Sequence, residues 1–121
     1  MRFFLVKQAQ QPLQGEITLS GDKSIACRSI IISAISQGKT VIENFPPSKD
    51  CLYAIKSFQR LVVEISQNAS TVTVFGKGLY YGLKKPKRPI FVGDSGTALR
   101  LTLGILGGVS SHSRFFVVIK L

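Results

Sequence analysis

A nearly repeated eight-residue segment constrains the fold of this 121-residue chain more than any other feature. The first copy spans residues 21–28 and the second spans residues 93–100, with Gly, Asp, Ala and Arg at the same four offsets. Each copy follows a run typical of a β-strand and opens an apolar run with helical spacing. Two strand-to-helix units of one design predict an α/β fold that is built from repeats.

Both copies have the character of an anion-binding site at the start of a helix. The first helical turn leaves backbone N–H groups without partners, and the helix dipole adds partial positive charge there. Phosphate and carboxylate groups bind readily at such a place. The two copies therefore predict a substrate, or a pair of substrates, with more than one anionic group.

The spacing of apolar residues predicts the order strand, helix, strand, helix, strand, strand, followed by a strand and a helix that start the order again. The predicted strands lie at residues 3–6, 15–20, 40–42, 61–65, 71–75, 90–92 and 115–119. The predicted helices lie at residues 24–37, 49–60 and 97–106, and the first is apolar enough to be buried on most sides. This order corresponds to one βαβαββ unit and the opening of a second, which is an incomplete set of repeats.

Composition narrows the class of protein. Apolar residues make up 45% of the chain, no apolar run has the length of a membrane span, and the N-terminus lacks the apolar region of a signal peptide. We therefore expect a globular, cytoplasmic protein that does not enter a membrane. Cys27 and Cys51 have no other cysteine or histidine at ligand spacing, so we expect buried thiols without a metal site. His112 is the single histidine and is expected in a solvated loop.

The formal net charge of +10 raises the alternative of a polyanion partner. The densest group of cations lies at residues 84–88, shortly after Tyr80 and Tyr81. The other cations are scattered, and no nucleic-acid-binding motif accompanies the group. A solvated loop is the preferred interpretation of residues 84–88. A small basic module that binds nucleic acid or another polyanion is the alternative function, and a non-functional remnant is the third.

The first copy carries side chains that suit phosphate and carboxylate. Lys23 offers a point charge, and the Ser24 hydroxyl can donate a hydrogen bond or cap the helix. Arg28 lies one turn beyond Ser24, shares its helix face and has a planar fork that fits a carboxylate. A Walker A loop is excluded because Asp22 separates Gly21 from Lys23. An ordinary helix cap would explain either copy alone, but the matched pair favours an anion site.

The two copies resemble the two N-terminal substrate motifs of the 5-enolpyruvylshikimate-3-phosphate synthase family. Gly21-Asp22-Lys23-Ser24-Ile25 with Arg28 is similar to the first motif, and Gly93-Asp94-Ser95-Gly96-Thr97-Ala98-Leu99-Arg100 is similar to the second. The resemblance covers residues 12–108 and implies the inside-out α/β barrel of enolpyruvyl transferases, with about one and a half βαβαββ units in this chain. Residues 1–20 would be strands of a second domain, and residues 21–121 would be the first part of the N-terminal domain.

The resemblance also implies an activity. In that family the enolpyruvyl (carboxyvinyl) group of phosphoenolpyruvate passes to the 5-hydroxyl of shikimate 3-phosphate, a step of chorismate and aromatic amino acid biosynthesis that uses no metal or organic cofactor. By motif, Lys23 would be catalytic and would contact both substrates. Ser24 and Arg28 would hold shikimate 3-phosphate. The residues expected to line the phosphoenolpyruvate site are Asp94, Gly96 and Thr97.

The chain departs from the family pattern in three respects. Ala26-Cys27 stands where the family has Ser-His or Ser-Asn, and Asp94 stands where it has Asn. The likeness ends near Gly108 without the family's Arg-Pro segment, and no carboxylate follows Asp94 to act as an acid or a base. We therefore expect a truncated or frame-shifted copy that is inactive alone and needs the remainder of the enzyme to complete its active site.

Overall fold

A computed structural model of the chain describes residues 2–109 and 114–117, apart from the side chain of Tyr81. The expected loop position of His112 and the predicted strand residues Val118 and Ile119 lie outside the described residues. The helices of the described part are α1 (Lys23–Ile35), α2 (Lys49–Arg60), α3 (Leu79–Gly82) and α4 (Gly96–Leu106). Its strands are β1 (Gln37–Ile42), β2 (Glu64–Asn68), β3 (Thr71–Lys77), β4 (Ile90–Gly93) and β5 (Phe115–Val117).

The strands form two small sheets. One is antiparallel with the order β1-β3-β2, and the other is the parallel pair β4-β5. Burial alternates along the central strand β3, where Val72 and Val74 are fully buried. A period of two is the pattern of a strand with one face in the core. Because α1 packs on β3 and α2 packs on both α1 and β4, the two helices connect the sheets.

Helix α2 has one apolar face, as its sequence spacing predicts. Cys51, Ala54, Ile55 and Phe58 are buried on that face, and Phe58 is among the largest fully buried side chains of the described residues. Helix α1 packs against β1, β3, α2, α3 and α4, and six of its 13 residues are buried, in line with the expectation that most of its sides are covered. One stripe of the helix stays open, where Ile25 and Ile32 keep 65% and 59% of their surface exposed.

The first segment of the chain, residues 2–20, contains no helix or strand. The strands predicted at residues 3–6 and 15–20 are therefore absent, although their alternating apolar pattern is typical of strands. A strand needs a partner to accept its backbone hydrogen bonds, and none of the described strands runs beside these residues. Their apolar side chains remain exposed, including Phe4 at 96% and Leu13 at 92%. The assignment of residues 1–20 to a second domain stays a proposal.

Strand β2 begins three residues later than the sequence predicts because helix α2 ends in a tight turn. Val62 has a φ of +68°, and the Val63 N–H donates to the Phe58 carbonyl at 3.1 Å. Extended pairing with β3 can start only after this turn, at Glu64. The one-turn helix α3, which the sequence pattern does not predict, follows β3 and leads into the basic residues 84–88.

Candidate anion-binding site

The first copy of the repeated segment forms the entry to α1. Asp22 is the N-cap, and its carboxylate accepts a hydrogen bond from the Ile25 N–H at 2.7 Å. One of the free N–H groups of the first turn is thereby satisfied within the chain. Gly21 is required at this point because a Cβ there would overlap the backbone carbonyl of Asn44. Gly21 therefore permits a close approach between two segments of the chain, and this packing alone explains the glycine.

Ser24 and Arg28 lie together on the exposed side of α1. The Arg28 Nη1 donates to the Ser24 Oγ at 2.8 Å, as the spacing of four residues predicts. This contact orients the guanidinium along the first turn of the helix. The structure therefore brings together the two side chains that the resemblance assigns to shikimate 3-phosphate.

Lys23 forms an ion pair with Asp50, which lies in the first turn of α2. The Nζ and Oδ2 atoms are 2.8 Å apart. The hydrogen bond and the charge of Asp50 raise the pKa of Lys23 above its ordinary value. The hydrogen bond from Lys23, followed by one from Ser95, lowers the pKa of Asp50. Asp50 is therefore paired with Lys23 of the first copy and lies near Ser95 of the second.

The second copy forms the entry to α4, one residue out of step with the first. Ser95 is the N-cap, and its buried Oγ accepts a hydrogen bond from the Ala98 N–H at 3.1 Å. Gly96 and Thr97 are the first two residues of the helix. Asp94 precedes the cap, is exposed, and its charge opposes the lowering of the Asp50 pKa. The two copies are thus similar in sequence but differ in which residue caps the helix.

Packing and backbone conformation require glycine at one of the two glycine positions of the second copy but not at the other. Gly93 has a φ of +55°, and a Cβ there would overlap the aromatic ring of Tyr53 from α2. At Gly96 a Cβ would meet no atom within 4 Å, and the backbone is not in the left-handed region. Packing within the described residues therefore explains Gly93 and leaves Gly96 without an internal requirement.

The two arginines that occupy the same position in the two copies also lie near each other in the structure, which the sequence pattern did not predict. Arg28 and Arg100 line the same groove of 330 Å³ between α1 and α4, together with apolar side chains. The ion pair of Asp50 is likewise not indicated by the sequence pattern, in which Asp50 is only an acidic residue near the start of the predicted helix 49–60. Its partners are distant in sequence, and no local spacing indicates them.

Within residues 2–109 and 114–117, no group of three or more His, Cys, Asp or Glu side chains could hold a metal ion. Across the same part of the chain, none of the helices has the length and apolar character needed to cross a membrane.

The ion pair of Lys23 and Asp50 should give stability a defined pH dependence. The pKa of Asp50 is lowered from 3.8, so its contribution is present above that pH and is lost as the pH falls through the folded value. The pKa of Lys23 is raised from 10.5, so its contribution is present below that pH and is lost as the pH rises through the folded value.

We expect the urea midpoint of the native chain to exceed that of an Asp50→Asn variant by a small, constant amount between about pH 5 and pH 9. The difference should shrink below about pH 4 and in high salt, because the pair is partly exposed. A Glu43→Gln variant, which removes an exposed carboxylate elsewhere, serves as the control. A difference between native and Asp50→Asn chains that persists unchanged at low pH would contradict this account.

Comparison with known proteins identifies the family. The sequence model of the family described as EPSP synthase (3-phosphoshikimate 1-carboxyvinyltransferase) matches residues 7–119. The chain belongs to this family. The resemblance of the two repeated segments to the EPSP synthase motifs is thereby confirmed.

Relatives of the family align with most of this chain. A 3-phosphoshikimate 1-carboxyvinyltransferase from Bacillus licheniformis is 52% identical over 101 residues, which cover 84% of this chain and 23% of the relative. One from Bacillus thuringiensis is 46% identical over 113 residues, which cover 93% and 26%. The chain thus spans about a quarter of the length of these relatives.

The fold has a counterpart among solved structures. An EPSP synthase from Acinetobacter baumannii superimposes with a TM-score of 0.73 at 34% identity, over 80% of this chain and 23% of that one. The predicted α/β class and the EPSP synthase fold are confirmed by this match. The small sheets of this chain correspond to part of that fold.

Proposed function

We propose that this chain serves the 3-phosphoshikimate 1-carboxyvinyltransferase reaction of its family, in the cytoplasm, with shikimate 3-phosphate and phosphoenolpyruvate as substrates. The observation that carries the proposal is the position of Asp50. Its ion pair with Lys23 at the start of α1, and the packing of α2 and α1 against α4, place the starts of α1 and α4 near each other, with Ser95 close enough to influence the pKa of Asp50. Two helix N-termini that meet in this way suit a pair of anionic substrates better than a single ion.

The side chains of the site divide between the two substrates. Lys23 would lie between them, and Ser24 with Arg28 would hold the phosphate or carboxylate of shikimate 3-phosphate through charge-assisted hydrogen bonds. The first turn of α4 would receive phosphoenolpyruvate, with Gly96 and Thr97 on that turn and Asp94 beside it. Gly96 fits this role because nothing else within the described residues requires glycine there.

In the proposed reaction the 5-hydroxyl oxygen bonds to the central carbon of phosphoenolpyruvate while the methylene carbon gains a proton. The 5-hydroxyl gives up its proton in this addition, and the methylene carbon becomes a methyl group. Phosphate then leaves with the electron pair of its C–O bond, and loss of a proton from that methyl group re-forms the double bond of the enolpyruvyl product. The groups on this chain would bind and orient two anions that repel each other, which removes part of the entropic and electrostatic cost. We assign the proton transfers to groups outside these 121 residues, so we expect the chain alone to bind substrate without turnover.

Titration calorimetry of the 121-residue chain with shikimate 3-phosphate, inorganic phosphate and shikimate would test the proposal. At constant ionic strength we expect shikimate 3-phosphate to bind at least about tenfold more tightly than either of the others, since it engages both charged and hydroxyl-binding groups. Steady-state release of phosphate that depends on both substrates would contradict the expected lack of turnover.

A basic groove supports the alternative function. Lys85, Lys87, Arg88 and Arg114 line a groove of 300 Å³ with two prolines, in the loop that leads to β4. A polyanion-binding module would bind phosphate-rich ligands of any kind, and its affinity would fall steeply as salt increases. Equal affinity for shikimate 3-phosphate and inorganic phosphate, together with such a salt dependence, would favour this alternative over the transferase.

Replacement of Gly96 by alanine should separate ligand binding from folding. A Cβ at Gly96 meets no atom of the described residues, so we expect the urea midpoint to stay the same or rise slightly. The added methyl group would occupy space beside phosphoenolpyruvate, so its affinity in the presence of shikimate 3-phosphate should fall by about tenfold or more. Gly104→Ala, equally unobstructed in α4, is the matched control. Unchanged phosphoenolpyruvate affinity would argue against this position for the substrate.

A further inference from the structure

The two cysteines of the chain lie against each other. Their Sγ atoms are 3.4 Å apart, and both side chains are completely buried. The expectation of buried thiols is correct, but no spacing in the sequence indicates their contact, because Cys27 lies on α1 and Cys51 lies on α2. The chain thus contains a vicinal pair of thiols at the contact between its two main helices.

The two thiols form a chain of hydrogen bonds that ends at the backbone of Lys23. The Cys51 thiol donates to the Lys23 carbonyl at 3.5 Å, which leaves the Cys27 thiol to donate to the Cys51 sulfur. The pair therefore lies next to the backbone of Lys23, and Cys51 directly follows Asp50. Any movement of the two sulfur atoms acts on the helix turns that carry the ion pair.

We propose that Cys27 and Cys51 form a reversible disulfide site that links α1 to α2 beside the Lys23–Asp50 ion pair. A disulfide bond has an S–S distance of about 2.05 Å, so the sulfur atoms must approach by more than 1 Å from their contact distance. Both cysteines lie close to the start of a helix, where local opening costs less free energy than in the core of an element.

The oxidant is a peroxide. One thiolate attacks a peroxide oxygen and becomes a sulfenic acid as hydroxide leaves and takes up the thiol proton as water. The second sulfur attacks the sulfenic sulfur, the S–S bond forms, and a second water leaves with the remaining thiol proton. For hydrogen peroxide, two thiols and one peroxide give one disulfide and two water molecules. A dithiol such as dithiothreitol reverses the reaction by exchange.

Burial makes this oxidation slow. Desolvation, with the hydrogen bond to Cys51 as a second cause, raises the pKa of Cys27 to about 12, so little thiolate is present near neutral pH. A water-sized peroxide that enters during local opening can still react, whereas bulky thiol reagents are excluded. In a reducing cytoplasm the pair would stay reduced and would be oxidised only under oxidative stress.

The consequence for the anion site rests on the function proposed above. A disulfide would hold the first turns of α1 and α2 in a shifted position and would change the separation of Lys23 from Asp50. We expect the oxidised chain to bind shikimate 3-phosphate about tenfold more weakly than the reduced chain, because its charged groups no longer match the ligand. The affinity should return on reduction.

Peptide mapping of the full 121-residue chain after hydrogen peroxide treatment tests the site directly. Trypsin cleavage after lysine and arginine releases Cys27 in residues 24–28 and Cys51 in residues 50–56. In monomeric protein we expect these two peptides to appear as one linked species, whose mass is that of both peptides less two hydrogen atoms. Dithiothreitol should separate them. Cys27→Ala and Cys51→Ala variants should give no linked peptide.

Two sets of results would overturn the proposal. The disulfide site is wrong if both thiols stay free under peroxide, if they are oxidised separately to sulfinic or sulfonic acid, or if the linkage joins two chains. The effect on the anion site is wrong if the linked and reduced chains bind shikimate 3-phosphate equally. If the linked peptide forms but neither state binds shikimate 3-phosphate, the disulfide site is supported and the proposed transferase function fails.

Discussion

Replacement of Gly93 by alanine should lower the free energy of unfolding of this chain by about 4 kcal/mol, a large fraction of the roughly 5 to 15 kcal/mol that is typical of a native domain. Two independent costs combine at this residue. Its φ of +55° is unfavourable for any residue with a Cβ, and that Cβ would overlap the ring of Tyr53. Movement of the Tyr53 ring to relieve the overlap would disturb its edge-on contact with Phe91, whose ring centroid lies 5.6 Å away. Urea unfolding followed by circular dichroism measures the loss.

Gly104→Ala is the matched control for this experiment. The same atoms are added in helix α4, at an exposed position where a Cβ meets nothing within 4 Å. We expect it to raise the free energy of unfolding by about 0.5 to 1 kcal/mol, because alanine favours a helix more than glycine does. If Gly93→Ala changed stability no more than Gly104→Ala, the described contact between Gly93 and Tyr53 would be incorrect.

Adding Tyr53→Ala to Gly93→Ala would separate the two costs. Removal of the ring relieves the overlap but leaves the backbone conformation of residue 93 unfavourable. The double variant should therefore lose less stability than the sum of the two single variants, and the difference measures the steric part. This result would also establish that the second anion segment depends on α2 for its position.

Helices α2 and α4 were predictable from the sequence because their signals are local. The spacing of Leu52, Ile55 and Phe58 predicts the helix α2, and Ser48 with Asp50 is typical of its start. Ile55 and Phe58 are buried as predicted, whereas Leu52 is 38% exposed. The observed bounds of both helices agree with the predicted ones within one residue. By contrast, the strands expected at residues 3–6 and 15–20 did not form, because a strand depends on a partner that periodicity cannot reveal.

The same distinction applies to the candidate site. The contact of Ser24 with Arg28 follows from the geometry of one helical turn, so the sequence predicts it. The ion pair of Lys23 with Asp50 and the contact of the two thiols join segments that only the packing of α1 on α2 brings together. The position of Ser95 near Asp50 depends in the same way on the packing of α4 against α2. Repetition in sequence was also an imperfect guide, since Asp22 caps one helix and Ser95, one offset later, caps the other.

Replacement of Lys23 by alanine should weaken the binding of shikimate 3-phosphate by about 100-fold. A hydrogen bond to a charged group contributes about 1.5 to 3 kcal/mol, and each 1.4 kcal/mol corresponds to a tenfold change in affinity. Lys56→Ala removes the same charge from an exposed position on α2 and should change the affinity less than about twofold. Equal losses in the two variants would mean that binding depends on the overall charge of +10 and not on the position of Lys23.

The effect of Lys23→Ala should contain a second part that comes from Asp50. Without its cation, the Asp50 carboxylate is left as an uncompensated negative charge beside the place where an anion binds, with the charge of Asp94 nearby. Adding Asp50→Asn to Lys23→Ala removes that repulsion, so the double variant should regain part of the lost affinity. Asp50→Asn alone removes the ion pair that positions the Lys23 side chain. Affinities of the four proteins measured by calorimetry form a double-mutant cycle. A coupling between the two residues in that cycle means that the ion pair acts as one unit in binding, and strict additivity means that Asp50 has no part in positioning Lys23 for the substrate.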